Sequence, residues 1–214
     1  RHFNFPLDLN QLWHRLETVT LAGVAVPTLG PEDLLLYLCM HGSRHGWERV
    51  IWICDVAELI RSYRTFDWEH VASQASTLGS ERMLALGLVL ARNLLDAEVP
   101  EEAWQRVQVD EVTESLAVDT ASGLFEVHEK DISYWRDLHL RLRERRLERL
   151  RLRGHYYWRY LRVAVTPNER DHSLLALSAP LSFLYYVLRP FRLLKKFGLP
   201  RVRKLARRIT HPTG

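Results

Sequence analysis

The sequence predicts a mainly α fold: a multi-helix domain with one small β-hairpin near the N-terminus. After Gly30 the apolar residues recur at helical spacing almost everywhere, whereas residues 19–26 hold the one clear strand–turn–strand pattern. The 214-residue chain is 47% hydrophobic, which excludes intrinsic disorder and allows a sizeable core. Because no apolar run reaches the roughly 18 residues that span a bilayer, we expect a cytoplasmic protein that contacts a membrane at most peripherally.

The N-terminal elements are a short helix and a hairpin. Asp8 is placed to cap the helix, with Gln11 three residues later closing a capping box. Ala22-Gly23 supplies the hairpin turn between two segments in which apolar residues alternate. The alternating residues are Val19 and Leu21 before the turn and Val24 and Val26 after it.

Helices are predicted for most of the remaining chain. Pro31 occupies a first-turn position, where its missing N–H is harmless, and Asp67 and Ser80 are suitable N-caps. The predicted ranges are 31–45, 46–63, 67–77, 80–95 and 110–124, followed by one long helix from Asp131 towards Arg162. A seam at alternating spacings of 3 and 4 predicts that this long helix packs on another helix. The seam consists of Leu147, Leu150, Gly154, Tyr157 and Leu161.

Charge is divided unevenly along the chain. Residues 1–130 hold 10 Lys and Arg against 20 Asp and Glu, a balance of −10, whereas residues 131–214 hold 20 against 6, a balance of +14. We therefore predict an acidic helical body with the hairpin over 1–130, and a long helix with basic amphipathic C-terminal helices packing on it over 131–214. The chain begins at Arg1 rather than Met, which predicts a processed protein or a piece of a longer one.

Cysteines and tryptophans fit a buried core. Cys39 and Cys54 lie in apolar helical stretches and form no CxxC pair, so we expect buried free thiols rather than a metal site. Five tryptophans occupy helix positions that are typical of core. They are Trp13, Trp47, Trp52, Trp68 and Trp104.

The segment "LCMHGSRHGWERVIWICDVAEL", residues 38–59, combines polar groups with an otherwise apolar run. On a helical wheel of residues 46–62, apolar side chains cover most of the circumference, which predicts a buried helix. Asp55 lies on its narrow polar stripe, and a buried carboxylate is costly unless it is paired. We expect its partner to come from outside this helix, with Arg44 as the candidate. The stripe also holds Glu48, Glu58 and Ser62, with Ile51 in its middle.

His41 and His45 precede that helix at a spacing of four residues, so both project from one face. Three interpretations are open. Two histidines at this spacing suit a zinc ion, although the glutamate of an HExxH motif is absent. They also suit a pair that is satisfied by hydrogen bonds in the core. With Arg44 and Arg49 nearby, they suit a site for a phosphate-bearing small molecule.

A family resemblance rests on these residues. The run "LGPEDLLLYLCMHGSRHGWERVIWICDVAELI" (29–60), with its HGxxHxW…W..D pattern, resembles the helical half of an uncharacterised bacterial nucleotidyltransferase family of the DNA polymerase β-like superfamily. The likeness continues in "FDWEHVASQAS" (66–76), "TPNERD" (166–171) and "LSFLYYVLRPFRLLKKFG" (181–198). It implies that the fold is the remnant of an α/β plus helical architecture.

The resemblance also implies an activity. Such proteins transfer a nucleoside monophosphate from an NTP to an acceptor, with Mg²⁺ held by an Asp-x-Asp pair after a Gly-Ser turn and by a third carboxylate. Neither Gly42-Ser43 nor Gly79-Ser80 is followed by Asp-x-Asp, and the chain contains no such pair. We therefore expect no catalytic or metal-binding residues here, and an intact protein in which catalytic strands precede Arg1.

The residues that carry over from the family pattern are expected to line or brace the nucleotide cleft. These candidate nucleotide- and phosphate-binding residues are His41, Arg44, His45, Arg49 and Asp55. The chain departs from the pattern at Ile51, where relatives often have a basic residue. An ion pair between positions 51 and 55 is therefore absent.

The C-terminal region offers a second function. Residues 172–214 contain nine Lys and Arg and no acidic residue, with apolar residues interleaved. They fit a solvated basic helix pair, a surface that docks on anionic membrane through residues 181–209, or, less well, a nucleic-acid patch. Pairing of this basic tail with the acidic residues of 1–130 is open as well. The alternative to a nucleotidyltransferase is thus a non-catalytic helical interaction or membrane-docking module. The acceptor, the preferred base and the oligomeric state do not follow from the sequence.

Overall fold

The computed structural model describes residues 9–63, 65–124, 132–166 and Tyr186. Over these residues the fold is mainly α with one two-stranded antiparallel sheet, as predicted. The elements in chain order are α1 (Leu9–His14), β1 (Leu16–Leu21), β2 (Val24–Leu29), α2 (Pro31–Arg44), α3 (Val50–Ser62), α4 (Trp68–Leu78), α5 (Glu81–Leu95), α6 (Glu101–Arg106), α7 (Glu111–Gly123), α8 (Ile132–Arg141) and α9 (Arg146–Val165). The predicted cap Asp8 and the predicted start of the long helix, Asp131, lie outside the described residues.

The chain divides into two compact units, Arg1–Leu152 and Arg153–Gly214. The helix α8, which lies on the basic side of the charge boundary at residue 130, therefore belongs to the first unit. The second unit is described over residues 153–166 and at Tyr186. The basic segment 181–209 is otherwise outside the described residues, so its predicted docking stays a prediction.

The predicted hairpin is confirmed. Strands β1 and β2 pair from Leu16 with Leu29 to Leu21 with Val24. Ala22 and Gly23 both have positive φ, 50° and 82°, which is the backbone that a two-residue type I′ turn requires.

The core of the first unit is built around α5. Ten consecutive residues of this helix, from Arg82 to Ala91, are buried, and α2, α3 and α7 all pack against it. A helix that is apolar on every side is normally enclosed by others, and residues 82–91 of α5 have this character except for Arg82.

Helix ends follow local signals in most places. The Asp67 carboxylate caps α4 by accepting a hydrogen bond from the backbone N–H of His70 at 2.9 Å, and Pro31 stands in the first turn of α2. Ser80 precedes α5, but its hydroxyl donates to the Ala75 carbonyl instead of capping the helix. Ser80 is therefore the N-cap residue of α5, as predicted, but it makes no side-chain capping hydrogen bond.

The second long helix begins at Val50, four residues later than predicted. Residues 45–49 form a turn in which Gly46 and Trp47 have positive φ, 59° and 52°. The Trp47 ring folds back into the core, where it is fully buried. A Cβ at position 42 would lie 2.5 Å from this ring, so Gly42 leaves the space that the ring occupies.

The long helix predicted from Asp131 to Arg162 is interrupted at residues 142–145, which separate α8 from α9. Arg82, which is 6% exposed, donates to the carbonyls of Arg141 at 2.6 Å and Arg143 at 3.3 Å. Leu142 is fully buried in the same turn. Contacts with α5 thus hold the chain in a non-helical turn that local spacing does not indicate.

Predictions of burial fail at Trp13 and along the predicted seam of α9. Trp13 is 76% exposed because it belongs to the short helix α1 rather than to the core. The residues of the predicted seam on α9 are all exposed, so within the described residues no helix covers them. No described helix is both long enough and apolar enough to cross a bilayer.

Candidate functional site

Three rings meet where the C-terminal half of α2 faces the first turn of α3. The ring centroids of His41 and His45 are 4.8 Å apart, and each lies 5.3 Å from the ring centroid of Trp52. The His41 ring meets the indole edge-on, at an interplanar angle of 88°. All three side chains are partly exposed, so this cluster lies at the surface.

Two further side chains extend the cluster into a surface patch. The Arg49 guanidinium lies 5.9 Å from the Trp52 ring centroid, within cation–π range. The Tyr37 ring is stacked on His41, with centroids 5.8 Å apart. We refer to Tyr37, His41, His45, Arg49 and Trp52 as the histidine–tryptophan patch.

The turn of residues 45–49 positions the patch. Burial of Trp47 anchors this turn in the core, and the backbone N–H of Trp47 donates to the Gly42 carbonyl at 2.8 Å. Arg49 is the N-cap residue of α3, in extended conformation. The HGxxHxW motif therefore has a structural reason: Gly42 and Trp47 pack inward, which leaves the two histidines facing outward.

The surroundings of His45 favour the neutral form of its imidazole. Partial burial lowers the pKa of its imidazole below the ordinary value, and the charges of His41, Arg44 and Arg49 lower it further, against an opposing effect from Glu48. A neutral imidazole has one N–H donor and one acceptor nitrogen. At neutral pH, His45 is thus suited to hydrogen bonding rather than to carrying charge.

Asp55 is exposed, which contradicts the prediction of a buried carboxylate that needs a partner. Glu48, Ile51, Glu58 and Ser62 of the predicted polar stripe are exposed as well. The stripe is the solvent face of α3, while Ile53 and Val56 face the core. Asp55 stands one turn beyond Trp52, on a neighbouring position of the same helix surface.

The predicted pairing of Arg44 with Asp55 is absent. Within the residues that the structure describes, Asp55 forms no hydrogen bond or ion pair. The Arg44 side chain is exposed at the end of α2, and its backbone carbonyl lies 3.3 Å from Nε2 of His139. The positive charge of Arg44 affects the patch by lowering the pKa of the His45 imidazole.

Two members of the patch, Tyr37 and Trp52, were not predicted. The spacing of both residues in the sequence nevertheless indicates that they can contact predicted site residues. Tyr37 precedes His41 by four residues, and Trp52 follows Arg49 by three, which are distances at which helical side chains meet. The apolar surroundings of Trp52 favoured a core position instead, whereas the indole is only partly buried.

The described residues do not fit a catalytic metal site. They contain no group of three His, Cys, Asp or Glu side chains that could share an ion, and the chain has no Asp-x-Asp pair. Among the described side chains, His41 and His45 therefore have no third ligand for a zinc ion. Cys39 and Cys54 are free thiols, the first buried and the second partly exposed. Burial raises the pKa of the Cys39 thiol, which leaves it unreactive.

A cavity of about 380 Å³ lies elsewhere in the first unit, between α4, α5 and the turn after α8. Its charged lining consists of Glu81, Arg82, Arg106, Asp110 and Glu144. Although burial opposes it, hydrogen bonds from Arg82 and Thr113 lower the pKa of Asp110 to about 2. Burial, a hydrogen bond with Glu81 and the charge of Glu81 raise the pKa of Glu144 to about 7. Because this network connects three elements, we assign it a structural rather than a functional role.

Part of the chain matches a known protein family. Residues 1–96 match the model of a family described as an uncharacterised nucleotidyltransferase. This range contains the whole histidine–tryptophan patch and the segment 66–76, whereas the motifs at 166–171 and 181–198 lie beyond it. No curated protein and no solved structure matches the chain. The resemblance inferred from the sequence is thus confirmed over residues 1–96, which match the uncharacterised nucleotidyltransferase family.

Proposed function

We propose that this chain supplies the nucleotide-facing helical surface of a nucleotidyltransferase. In the intact protein, a nucleoside monophosphate would pass from a Mg²⁺–NTP complex to an acceptor. The observation that carries this proposal is the grouping of His41, His45, Arg49 and Trp52 on one exposed surface, inside the range that matches the family. The 214 residues lack the carboxylate pair for the transfer step, so they bind and orient rather than catalyse.

Each side chain has a role that its chemistry supports. Arg49 and Arg44 are exposed guanidinium groups, which bind phosphate oxygens by charge-assisted hydrogen bonds. The neutral His45 imidazole supplies one N–H donor without bringing charge. Asp55, which is exposed one turn beyond Trp52, is an acceptor for sugar hydroxyl groups. The partly exposed Trp52 indole offers an apolar surface to the base.

Calorimetric titration of the 214-residue chain with ATP and Mg²⁺ tests the proposal. We expect measurable binding that falls about tenfold or more in Arg49→Gln, because a hydrogen bond to a charged group is lost. Arg92→Gln is the matched control. Arg92 also stacks over an indole, that of Trp104, at 4.6 Å, but it lies on α5, outside the patch.

Two results would contradict a nucleotide-binding role for this surface. One is the absence of ATP binding by the unaltered chain. The other is an equal loss of affinity in Arg49→Gln and Arg92→Gln, which would show that the charge of the chain, rather than the patch, attracts the nucleotide.

A further inference from the structure

The C-terminal half of α9 presents an unusual exposed surface. Within the second unit, Tyr157, Trp158 and Leu161 are 72%, 63% and 55% exposed. Together with Gly154 and Val165 they recur at i, i+3, i+4, i+7 and i+11, so they form one continuous stripe along the helix. Tyr156, on the opposite side, is buried. The exposed surface of this helix therefore includes an apolar stripe.

Basic residues border the stripe. Arg153 and Arg162 are exposed on its two sides, about 100° and 80° from Gly154 at 100° per residue. The segment 153–165 also contains Arg159 and has no Asp or Glu. An exposed stripe with tyrosine and tryptophan, flanked by arginine, has the composition of a helix that lies in a membrane interface.

We propose that residues 153–165 of α9 dock on the surface of an anionic lipid bilayer. The aromatic and aliphatic side chains would enter the boundary between headgroups and acyl chains, while Arg153 and Arg162 contact lipid phosphates. The proposal uses no residue of the histidine–tryptophan patch and does not depend on nucleotide binding.

Charge and shape favour lipid over other occupants. A second copy of the chain would bring arginine against arginine at both borders of the stripe. A single-stranded nucleic acid would stack on Tyr157 and Trp158, but Leu161 and Val165 have no partner in such a complex. An anionic bilayer engages the arginines and the aliphatic residues together.

Vesicle flotation of the full 214-residue chain tests this proposal. Vesicles of phosphatidylcholine with phosphatidylglycerol are compared with vesicles of phosphatidylcholine alone. We expect flotation with the anionic vesicles only. The double variant Trp158→Ser, Leu161→Ser should bind at least roughly tenfold more weakly, since two apolar side chains no longer leave water. The double variant Arg153→Gln, Arg162→Gln should lose roughly fivefold per arginine and most of its salt dependence.

The matched control is Leu94→Ser, Val118→Ser, which removes two exposed apolar side chains from α5 and α7 and should float unchanged. A second control, Arg207→Gln, Arg208→Gln, measures what the basic C-terminal residues contribute. Far-UV circular dichroism and the thermal midpoint confirm that every variant is folded.

Three results would overturn the proposal. The unaltered chain could fail to prefer anionic vesicles. The α9 variants could float as well as the unaltered chain while Arg207→Gln, Arg208→Gln does not, which would place docking in the C-terminal residues alone. The α9 variants could instead lose binding to a single-stranded oligonucleotide with flotation unchanged, which would make the stripe a nucleic-acid surface.

Discussion

At the level of a single residue, a substitution of the exposed Asp55 distinguishes a role in nucleotide binding from a role in stability. Because Asp55 is on the solvent face of α3 and has no partner among the described residues, Asp55→Asn removes its charge without disturbing packing. We expect the thermal midpoint to stay nearly unchanged, as for most surface substitutions. If Asp55 accepts hydrogen bonds from the nucleotide, the affinity for Mg²⁺–ATP should fall.

Thermal unfolding and calorimetric titration of the same Asp55→Asn preparation decide between the roles. A large drop in the thermal midpoint with unaltered ATP affinity would make Asp55 a structural carboxylate, against its exposure. Glu58→Gln, which removes another exposed carboxylate one turn later on the same helix, is the matched control and should leave both quantities unchanged.

At the level of elements, the connection between α2 and α3 depends on the contact between Gly42 and Trp47. A Cβ at position 42 would lie 2.5 Å from the buried indole, and neither the ring nor the surrounding core has room to move freely. We expect Gly42→Ala to lower the free energy of unfolding by about 1–3 kcal/mol, the usual cost of overpacking a core. Urea denaturation measures this change.

Gly123→Ala is the comparison for Gly42→Ala, because a Cβ at position 123 meets nothing within 4 Å. That substitution should change the free energy of unfolding by less than about 0.5 kcal/mol. Similar effects at both positions would show that the indole does not restrict position 42. In Gly42→Ala we also expect weaker ATP binding, since a shifted Trp47 moves the turn that carries Arg49.

Elements with local causes could be predicted from the sequence. The turn at Ala22-Gly23, the Asp67 cap and Pro31 at a helix start each depend on residues within a few positions. The break after α8 could not be predicted, because its cause is Arg82, about 60 residues earlier in the chain, which binds the carbonyls of Arg141 and Arg143. Helical periodicity carries no information about such a distant contact.

The candidate site was predicted in part for a similar reason. Spacing placed His41 and His45 on one face, and the structure brings their rings to 4.8 Å. The helical wheel also identified the polar stripe that contains Asp55, but Asp55 was predicted to be buried and is exposed. A helical wheel shows which residues share a side of a helix, whereas burial depends on which side the rest of the fold covers. In α3 the core covers the side of Ile53 and Val56.

At the level of the whole molecule, stability should depend on pH through two carboxyl groups with opposite shifts. The pKa of Asp110 is lowered to about 2, so its contribution is present above the ordinary carboxylate pKa and is lost as the pH falls from about 4 towards 2. The pKa of Glu144 is raised to about 7. Its effect therefore has the opposite sign and falls in a different pH range.

Glu144 retains a proton in the folded chain that it has released in the unfolded chain between about pH 4.5 and 7. Because the folded state binds more protons over that range, the free energy of unfolding should fall as the pH rises through it and level off above about pH 7. In Glu144→Gln the amide donates to Glu81 at every pH, so this decline should disappear and the variant should be more stable than the unaltered chain at pH 8. Urea denaturation at pH 5, 6, 7 and 8 measures the slope of the free energy of unfolding against pH. The control is Glu98→Gln, which changes an exposed carboxylate and should leave this slope unchanged. An identical slope in Glu144→Gln would show that the Glu81–Glu144 pair does not share a proton.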